Sequence, residues 1–281
     1  MSLDLRVLSA ADLDFAHGLS RLAGWNQTRR DWERFLRLAP DGCFLAEQDG
    51  RPAGTATTTA YGRDLAWIGM VLVYPDFRRC GIGTALLRRA IKHLREEKGV
   101  ACIRLDATPE GRPLYESLGF QSEWGLQRWA RGARAARSAD STSRAKPILP
   151  ALDASLPLDR GIFGADRSEL LRSLVEGSDG GLLLPDGSFG LWREGERAIY
   201  LGPVSAASPE SGLAIAEALL DQCPADRTIY WDLPDANVPA TEFASERGFR
   251  PVRSLTRMWL GDAPSPADPL RMFGLADPGL G

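Results

Sequence analysis

Apolar positions along the first half of the chain change period several times, and each change marks an element. Ser9 with Asp12, and Thr28 with Asp31, place a hydroxyl three residues ahead of an acid, the capping-box arrangement. Two helices are therefore predicted at the start, the second containing Trp32, Phe35 and Leu36. The period then shortens to two. CFLAEQ and PAGTATTTAYG flank the turn pair Asp49-Gly50 as a hairpin, and AWIGMVLVY supplies a third strand. A helical stripe returns in TALLRRAIKHLREE at Leu86, Leu87, Ala90, Ile91 and Leu94. CIRLDA reads as a buried strand, PLYESL as a short helix, and Leu126 to Trp129 as a closing strand.

The second half repeats this order. Asp166 with Glu169 opens a helix at SELLRSLV, GLLLPDG and SFGLWREG form a hairpin, and AIYLGPVSA is the next strand. Ser208-Pro209 opens the helix ESGLAIAEALL, and TIYWDL precedes a helix running toward Gly248. Gly119, Phe120, Leu126 and Arg128 recur, all at one constant offset, as Gly248, Phe249, Leu255 and Arg257. An internal duplication explains both the order and the spacing. Between the copies, RGARAARSADSTSRAK carries five basic residues, one acid and no large apolar residue, so it cannot bury a face. After Leu260, Pro264, Pro266 and Pro269 break the pattern and apolar anchors are scattered. The predicted organisation is a first domain over 1–131, a linker over 132–147, a degenerate copy over 148–261, and a Pro-rich tail over 262–281 laid on a surface.

Composition narrows the function. A chain of 281 residues suits two domains of roughly 150 residues each. Its 34 basic and 37 acidic residues leave a net charge of −3, which argues against a broad phosphate-binding surface and hence against nucleic acid. Cys43, Cys80, Cys102 and Cys223 lie far apart without a CxxC, so neither a metal nor a redox motif is expected. Asp4, Asp12 and Asp14 interrupt the N-terminal segment, and no run of 18 apolar residues occurs. These features lead us to expect a cytoplasmic protein without membrane contact.

The chemistry concentrates in the stretch from Val71 to Thr84, where a strand passes through a Pro-containing bend into a glycine-rich helix start. Such a start turns backbone N–H groups and the positive helix end toward one point, which suits a pyrophosphate, and Arg78 adds a fixed charge. A dinucleotide fingerprint needs Gly or Ala where Leu86 stands, and a βαβ order that the preceding elements lack. The spacing Arg78-x-x-Gly81-x-Gly83, after Val71-x-Val73 and about thirty residues ahead of Leu114-Tyr115-x-x-x-Gly119-Phe120, instead resembles the GCN5-related N-acetyltransferase (GNAT) superfamily. Gly24-Trp25-Asn26-Gln27-Thr28 and Trp67-Ile68-Gly69-Met70 resemble its bacterial branch with a degenerate second domain.

That resemblance implies an α/β (mixed α+β) fold: tandem GNAT-like domains, each a mostly antiparallel sheet flanked by helices, with one splayed parallel strand pair. It implies acetyl-CoA in the splay. The strand through Val71, Leu72 and Val73 would pair with the pantetheine arm, and N–H groups of Arg79, Cys80, Gly81, Ile82, Gly83 and Thr84 would hold the pyrophosphate. Thr108 stands where the family often has Asn, and Tyr115 matches the tyrosine near the thioester sulfur.

Acetyl transfer to an amine needs a neutral nucleophile, a polarised carbonyl and a proton for the thiolate. The Val71 N–H is the candidate donor to the carbonyl. Tyr115 is the candidate acid, its alternative being a core aromatic. Trp67 to Val73 contain no acid, and His17 and His93 fall on remote helices. Asp106 is the candidate base, the alternatives being a cap for the loop Ala107 to Arg112 or a water chain. Trp25, Asn26 and Gln27 are candidate acceptor contacts, or else a staple and caps of the next helix. The Thr55, Thr57 and Thr59 stripe is expected as one face of a strand. In the second copy Ala244 replaces Tyr115, and Gly202-Pro203-Val204-Ser205-Ala206 replaces the Arg-x-x-Gly-x-Gly turn. The expectation is an acetyl-CoA-dependent N-acetyltransferase, transferring acetyl to a primary amine by direct attack in a ternary complex. The acceptor is expected to be a small molecule rather than a protein. The alternative is an acyl-CoA sensor or assembly module without turnover.

Overall fold

The computed structural model describes residues 2–134, 149–263 and 266–281, so the linker expected over 132–147 lies outside the described residues from 135 onward. The first half runs β1 (Leu3–Val7), α1 (Leu13–Leu22), α2 (Arg29–Leu38), β2 (Cys43–Gln48), β3 (Arg51–Tyr61) and β4 (Leu65–Val73). It continues with α3 (Ile82–Lys92), β5 (Cys102–Ala107), α4 (Arg112–Ser117) and β6 (Gln121–Arg131). The second half runs α5 (Leu156–Phe163), α6 (Ser168–Glu176), β7 (Gly180–Leu183), β8 (Phe189–Arg193) and β9 (Ile199–Ser205). Then come α7 (Pro209–Gln222), β10 (Ile229–Pro234), α8 (Val238–Glu246), β11 (Arg250–Gly261) and, in the tail, β12 (Met272–Gly274). Among the described residues no helix is long and apolar enough to cross a membrane.

Besides β12 in the tail, two elements go beyond the sequence pattern. A strand, β1, opens the chain ahead of the helices, and α5 precedes the expected first helix of the second copy. The short β1 gives a period of two little length in which to stand out, and its ladder partner, β2, lies far along the chain beyond two helices. Both capping boxes form, although the one at Ser9 opens a short 3₁₀ turn, Ala10–Asp12, that leads into α1.

The strands form one sheet in the order β1-β2-β3-β4-β5-β11-β6-β10-β9-β8-β7, with β12 paired to β9. The halves therefore exchange their closing strands. β11, from the second half, pairs with β5 from Thr256↔Ala107 to Gly261↔Cys102, while β6, from the first, pairs with β10 from Leu126↔Pro234 to Arg131↔Ile229. The sheet mixes antiparallel neighbours with two parallel pairs, β4/β5 and β9/β10. Each parallel pair holds register only briefly, Leu65↔Cys102 to Trp67↔Arg104 and Ile199↔Ile229 to Leu201↔Trp231. Past those points the strands part.

The tail is not laid on a surface. Met272, Phe273, Leu275, Ala276 and Leu280 are all buried, and β12 runs antiparallel to β9. Polar groups grip it as well. Trp231 Nε1 donates to the Phe273 carbonyl (2.8 Å), Trp67 Nε1 to that of Pro278 (3.0 Å), and the Tyr61 hydroxyl to that of Leu280 (2.6 Å). Tryptophan and tyrosine carry a polar handle that burial obliges them to satisfy, and here the tail's backbone satisfies it.

Candidate active site

The start of α3 is built to stay open. Gly81 at its N-cap has φ +81° and Arg79 has φ +61°, so the chain turns sharply into the helix, and no side chain caps the first N–H groups. Residues 78–81 are exposed. A Cβ at Gly83 would lie 3.6 Å from Leu114 Cδ2 and 3.7 Å from Val73 Cγ2, ordinary contacts, so packing alone does not demand glycine there. The bare position leaves room for a ligand to approach the backbone, and Arg78 and Arg79 contribute positive charge at the rim.

In the second copy the corresponding helix start is capped, and the chain itself fills the space in front of it. Gly212 follows Gly83 at the offset of the duplication, and a Cβ there would collide with the Phe273 ring. The Ser208 hydroxyl accepts from the Ser211 N–H, capping α7. Strand β12 pairs with the parted end of β9 through Met272↔Ser205 and Gly274↔Val204, and the Leu275 N–H donates to the Asp232 carbonyl of β10 (3.1 Å). The gap that stands open between β4 and β5 is thus closed between β9 and β10.

Along β4 the register skips from Gly69↔Thr57 to Leu72↔Thr55, which makes a bulge of Met70 and Val71. Met70 has φ +50°, and the Thr55 hydroxyl donates to its carbonyl at 2.9 Å. The bulge lies beyond the point where β4 leaves β5, and both of its residues line a cavity of about 130 Å³. Leu105, Asp106, Thr108 and Tyr115 close the cavity on the β5 side. The exchanged strands add Arg128, Arg253 and Leu255, the α1–α2 connection adds Trp25 and Gln27, and the tail adds Pro278 and Gly279.

Tyr115 packs edge-on to Phe120, with ring centroids 6.0 Å apart, and its hydroxyl has no hydrogen-bond partner among the described residues. Burial pushes its phenol up to about 12, so it is a neutral O–H at the cavity wall. Asp106 also lines the cavity, but both its oxygens accept from Arg257, at 2.9 Å from Nε and 2.9 Å from Nη2. Burial pushes this carboxyl above its ordinary range against the pull of Arg257. It caps nothing in the following loop; that bond belongs to Thr108, whose hydroxyl accepts from the Gly111 N–H at 3.2 Å.

Asn26 is absent from the cavity wall. It is buried, its Oδ1 accepts from the N–H groups of Arg197 and Ala198 (2.9 Å each), and its Nδ2 donates to the Ala198 carbonyl (3.0 Å). It therefore pins the loop between β8 and β9 rather than facing an acceptor. Trp25 and Gln27 do line the cavity, and Gln27 Nε2 donates to both oxygens of Asp277, at 3.1 and 3.0 Å. His17 pairs with Glu196 and His93 with Glu97, and neither lines the cavity. Sequence reasoning does not find Arg128, Arg253, Asp277 or the Pro278-Gly279 wall. The one trace of them in the sequence is the recurrence of Arg128 as Arg257.

Comparison with known proteins accords with this geometry. Residues 10–120 match the Acetyltransferase (GNAT) family, and residues 156–274 match an Acetyltransferase (GNAT) domain. The chain is 28% identical over 256 residues to the uncharacterised N-acetyltransferase YitH of Bacillus subtilis, covering 83% of each chain. It is 24% identical to the holothin acyltransferase of a Pseudoalteromonas species, over 85% of this chain and 82% of that one. The crystal structure of a candidate acetyltransferase from Pyrococcus horikoshii superposes with a TM-score of 0.83 at 25% identity, over 99% of this chain and 96% of the other. With one half carrying an open helix start and strand gap and the other a closed pair, the chain belongs to the GNAT superfamily of acyltransferases, as two GNAT domains in tandem.

Proposed function

We propose that the chain is an acetyl-CoA-dependent N-acetyltransferase whose acceptor is a primary amine of a small molecule. The observation that carries this is the contrast between the halves: the first has a bare turn at Gly81 to Gly83 and, past the point where β4 and β5 part, a cavity walled by a neutral phenol. The β9/β10 gap is filled by the tail. When bound, acetyl-CoA supplies an activated acyl group and a thiolate leaving group.

The chain's residues divide the remaining work. N–H groups from Arg79 to Thr84, with Arg78, hold the pyrophosphate, and Val71, Leu72 and Val73 offer the strand edge to the pantetheine arm. Thr108 flanks the same opening. Val71, in the bulge at Met70, would offer its N–H to the thioester oxygen, and Tyr115 would supply the proton that the departing sulfur needs. Each Asp106 oxygen accepts one bond from Arg257, which ties the carboxylate to the opposite half, and we assign the amine's proton to water rather than to Asp106. A cavity of about 130 Å³, partly walled by the second half and the tail, favours a small acceptor over a folded protein.

The test is thiol release from acetyl-CoA across a panel of amines, run beside calorimetry of acetyl-CoA binding. Amine-dependent release supports an enzyme. Tight binding with no release by any amine would leave the acyl-CoA sensor as the reading.

A further inference from the structure

The charges around the cavity do not cancel. Asp106 is matched by Arg257, and Arg128 by Asp232 through two bonds of 2.8 and 2.7 Å. Arg253 is half-buried in the same wall and has no ion pair or hydrogen bond among the described residues. Its register partner across the β11/β6 ladder is Arg128, whose positive charge acts on it. Like charges in that relation are unfavourable unless an anion joins them. Asp232, bonded to Arg128, and Glu110 both act on Arg253, but neither pairs with it.

A second group in the wall also lacks its complement. Gln27 is buried and its Oε1 has no donor among the described residues. Its orientation is settled by Asp277, which accepts from the Gly279 N–H (2.7 Å) and from Arg193 (3.3 Å) as well as from Gln27 Nε2. An acceptor-only neighbour requires the amide nitrogen to face it. The carbonyl oxygen is left to accept an N–H from something else.

We infer that the acceptor is a primary amine bearing a carboxylate, an amino-acid-like molecule whose carboxylate is received by Arg253 and whose amine donates to Gln27 Oε1. The planar guanidinium fork matches a carboxylate through two parallel bonds, which a point charge would not select as sharply. Trp25, Met70 and Leu255 offer the same molecule an apolar wall. This deepens the proposed activity and rests on it for the transfer step.

The test uses matched pairs on the full-length chain: glycine against glycinamide, and phenylalanine against phenylalaninamide. Each is measured by acetyl-CoA thiol release and, without coenzyme, by ligand-observed NMR. The acid of at least one pair should exceed its amide about tenfold in kcat/KM and bind more tightly. Arg253→Gln should erase that preference, Arg253→Lys should keep part of it, and both should bind acetyl-CoA as the parent does. Amides equal to or better than acids, no binding by either member of both pairs, or a preference that survives Arg253→Gln would overturn the inference. Absence of acetyl-CoA binding by calorimetry would sink the proposed activity instead, and the NMR arm would still judge Arg253.

Discussion

Asp106 of β5 and Arg257 of β11 join the two halves of the duplication through paired hydrogen bonds of 2.9 Å each, with the guanidinium held 4.5 Å from the Trp67 ring and 4.2 Å from that of Trp124. The relationship is reciprocal. Arg128 of the first half binds Asp232 of the second, and these two arginines are the pair that recur at the offset of the duplication. Each exchanged strand thus carries an arginine into the opposite half, where a buried aspartate receives it. The cost of desolvating both partners is offset only while both are present.

Arg257→Ala should therefore lower stability by about 3–5 kcal/mol, because it strands the buried Asp106 carboxylate. Replacing both residues by apolar ones, Asp106→Leu with Arg257→Met, should recover much of that loss. Chemical denaturation of the two variants checks it, and a double variant as unstable as the single one would refute the account.

Strand exchange also means that the halves do not stand alone. Residues 1–134 lack the strand that pairs with β5, and residues 149–281 lack the one that pairs with β10. Either fragment alone should give no cooperative melting transition, whereas co-expressed fragments should assemble into a soluble pair visible by size exclusion. A fragment that unfolds cooperatively by itself would contradict the interlocked sheet.

Gly83→Glu should cut acetyl-CoA affinity by more than tenfold while leaving circular dichroism unchanged. The space at Gly83 is open, so the fold tolerates a side chain, but a carboxylate there would meet the pyrophosphate of the proposed coenzyme. Gly83→Ala should be milder on binding and nearly neutral on melting temperature. The same titration on Gly212→Ala should show loss of stability without loss of coenzyme binding, since Phe273 occupies that space.

Tyr115→Phe should lower kcat by about 10²-fold to 10⁴-fold, the usual worth of general acid catalysis, with coenzyme affinity kept. The melting temperature should barely move, as the hydroxyl gives up no hydrogen bond among the described residues. As the proposed acid, Tyr115 would act in its protonated form, and burial raises its pKa to about 12, so its contribution should be lost only as pH rises through about 12. A fall in kcat below pH 10 must then come from another group. If Tyr115 lost activity at the ordinary phenol value, an alkaline limb near pH 10 would be present in the parent and absent from Tyr115→Phe.

Asp277→Ala removes the acceptor for Gln27 Nε2, the Gly279 N–H and Arg193 together. We expect about 3–5 kcal/mol of destabilisation, since Arg193 keeps a buried charge, and a rise in acceptor KM, since Gln27 loses its orientation. Acetyl-CoA affinity should hold. Denaturation, steady-state kinetics and calorimetry on this one variant separate the three effects.

Local rules make much of the molecule legible in its sequence. Two capping boxes, the Asp49-Gly50 hairpin, the stripe from Leu86 to Leu94 and the glycine-rich turn are set by neighbours within a few residues, where dihedral preferences and side-chain period act directly. The duplication is visible because it leaves the same residues at one constant spacing. The glycine-rich turn and Tyr115 can be proposed for coenzyme and proton transfer for the same reason, since their spacing is itself the signal.

Partnership across the chain is a different matter. That β11 lies beside β5, that Asp106 pairs with Arg257, that Asn26 holds the loop between β8 and β9, and that Phe273 fills the second strand gap all depend on contacts between residues far apart in sequence. Nothing in the period of a strand specifies its neighbour, because either half offers the same exposed ladder of N–H and C=O groups. The order of residues alone is enough to say which segments coil, which extend and where a glycine-rich helix start stands. Which half keeps an open cleft is settled in three dimensions, because it depends on where a buried tail comes to rest and which of its backbone and side-chain groups find partners there.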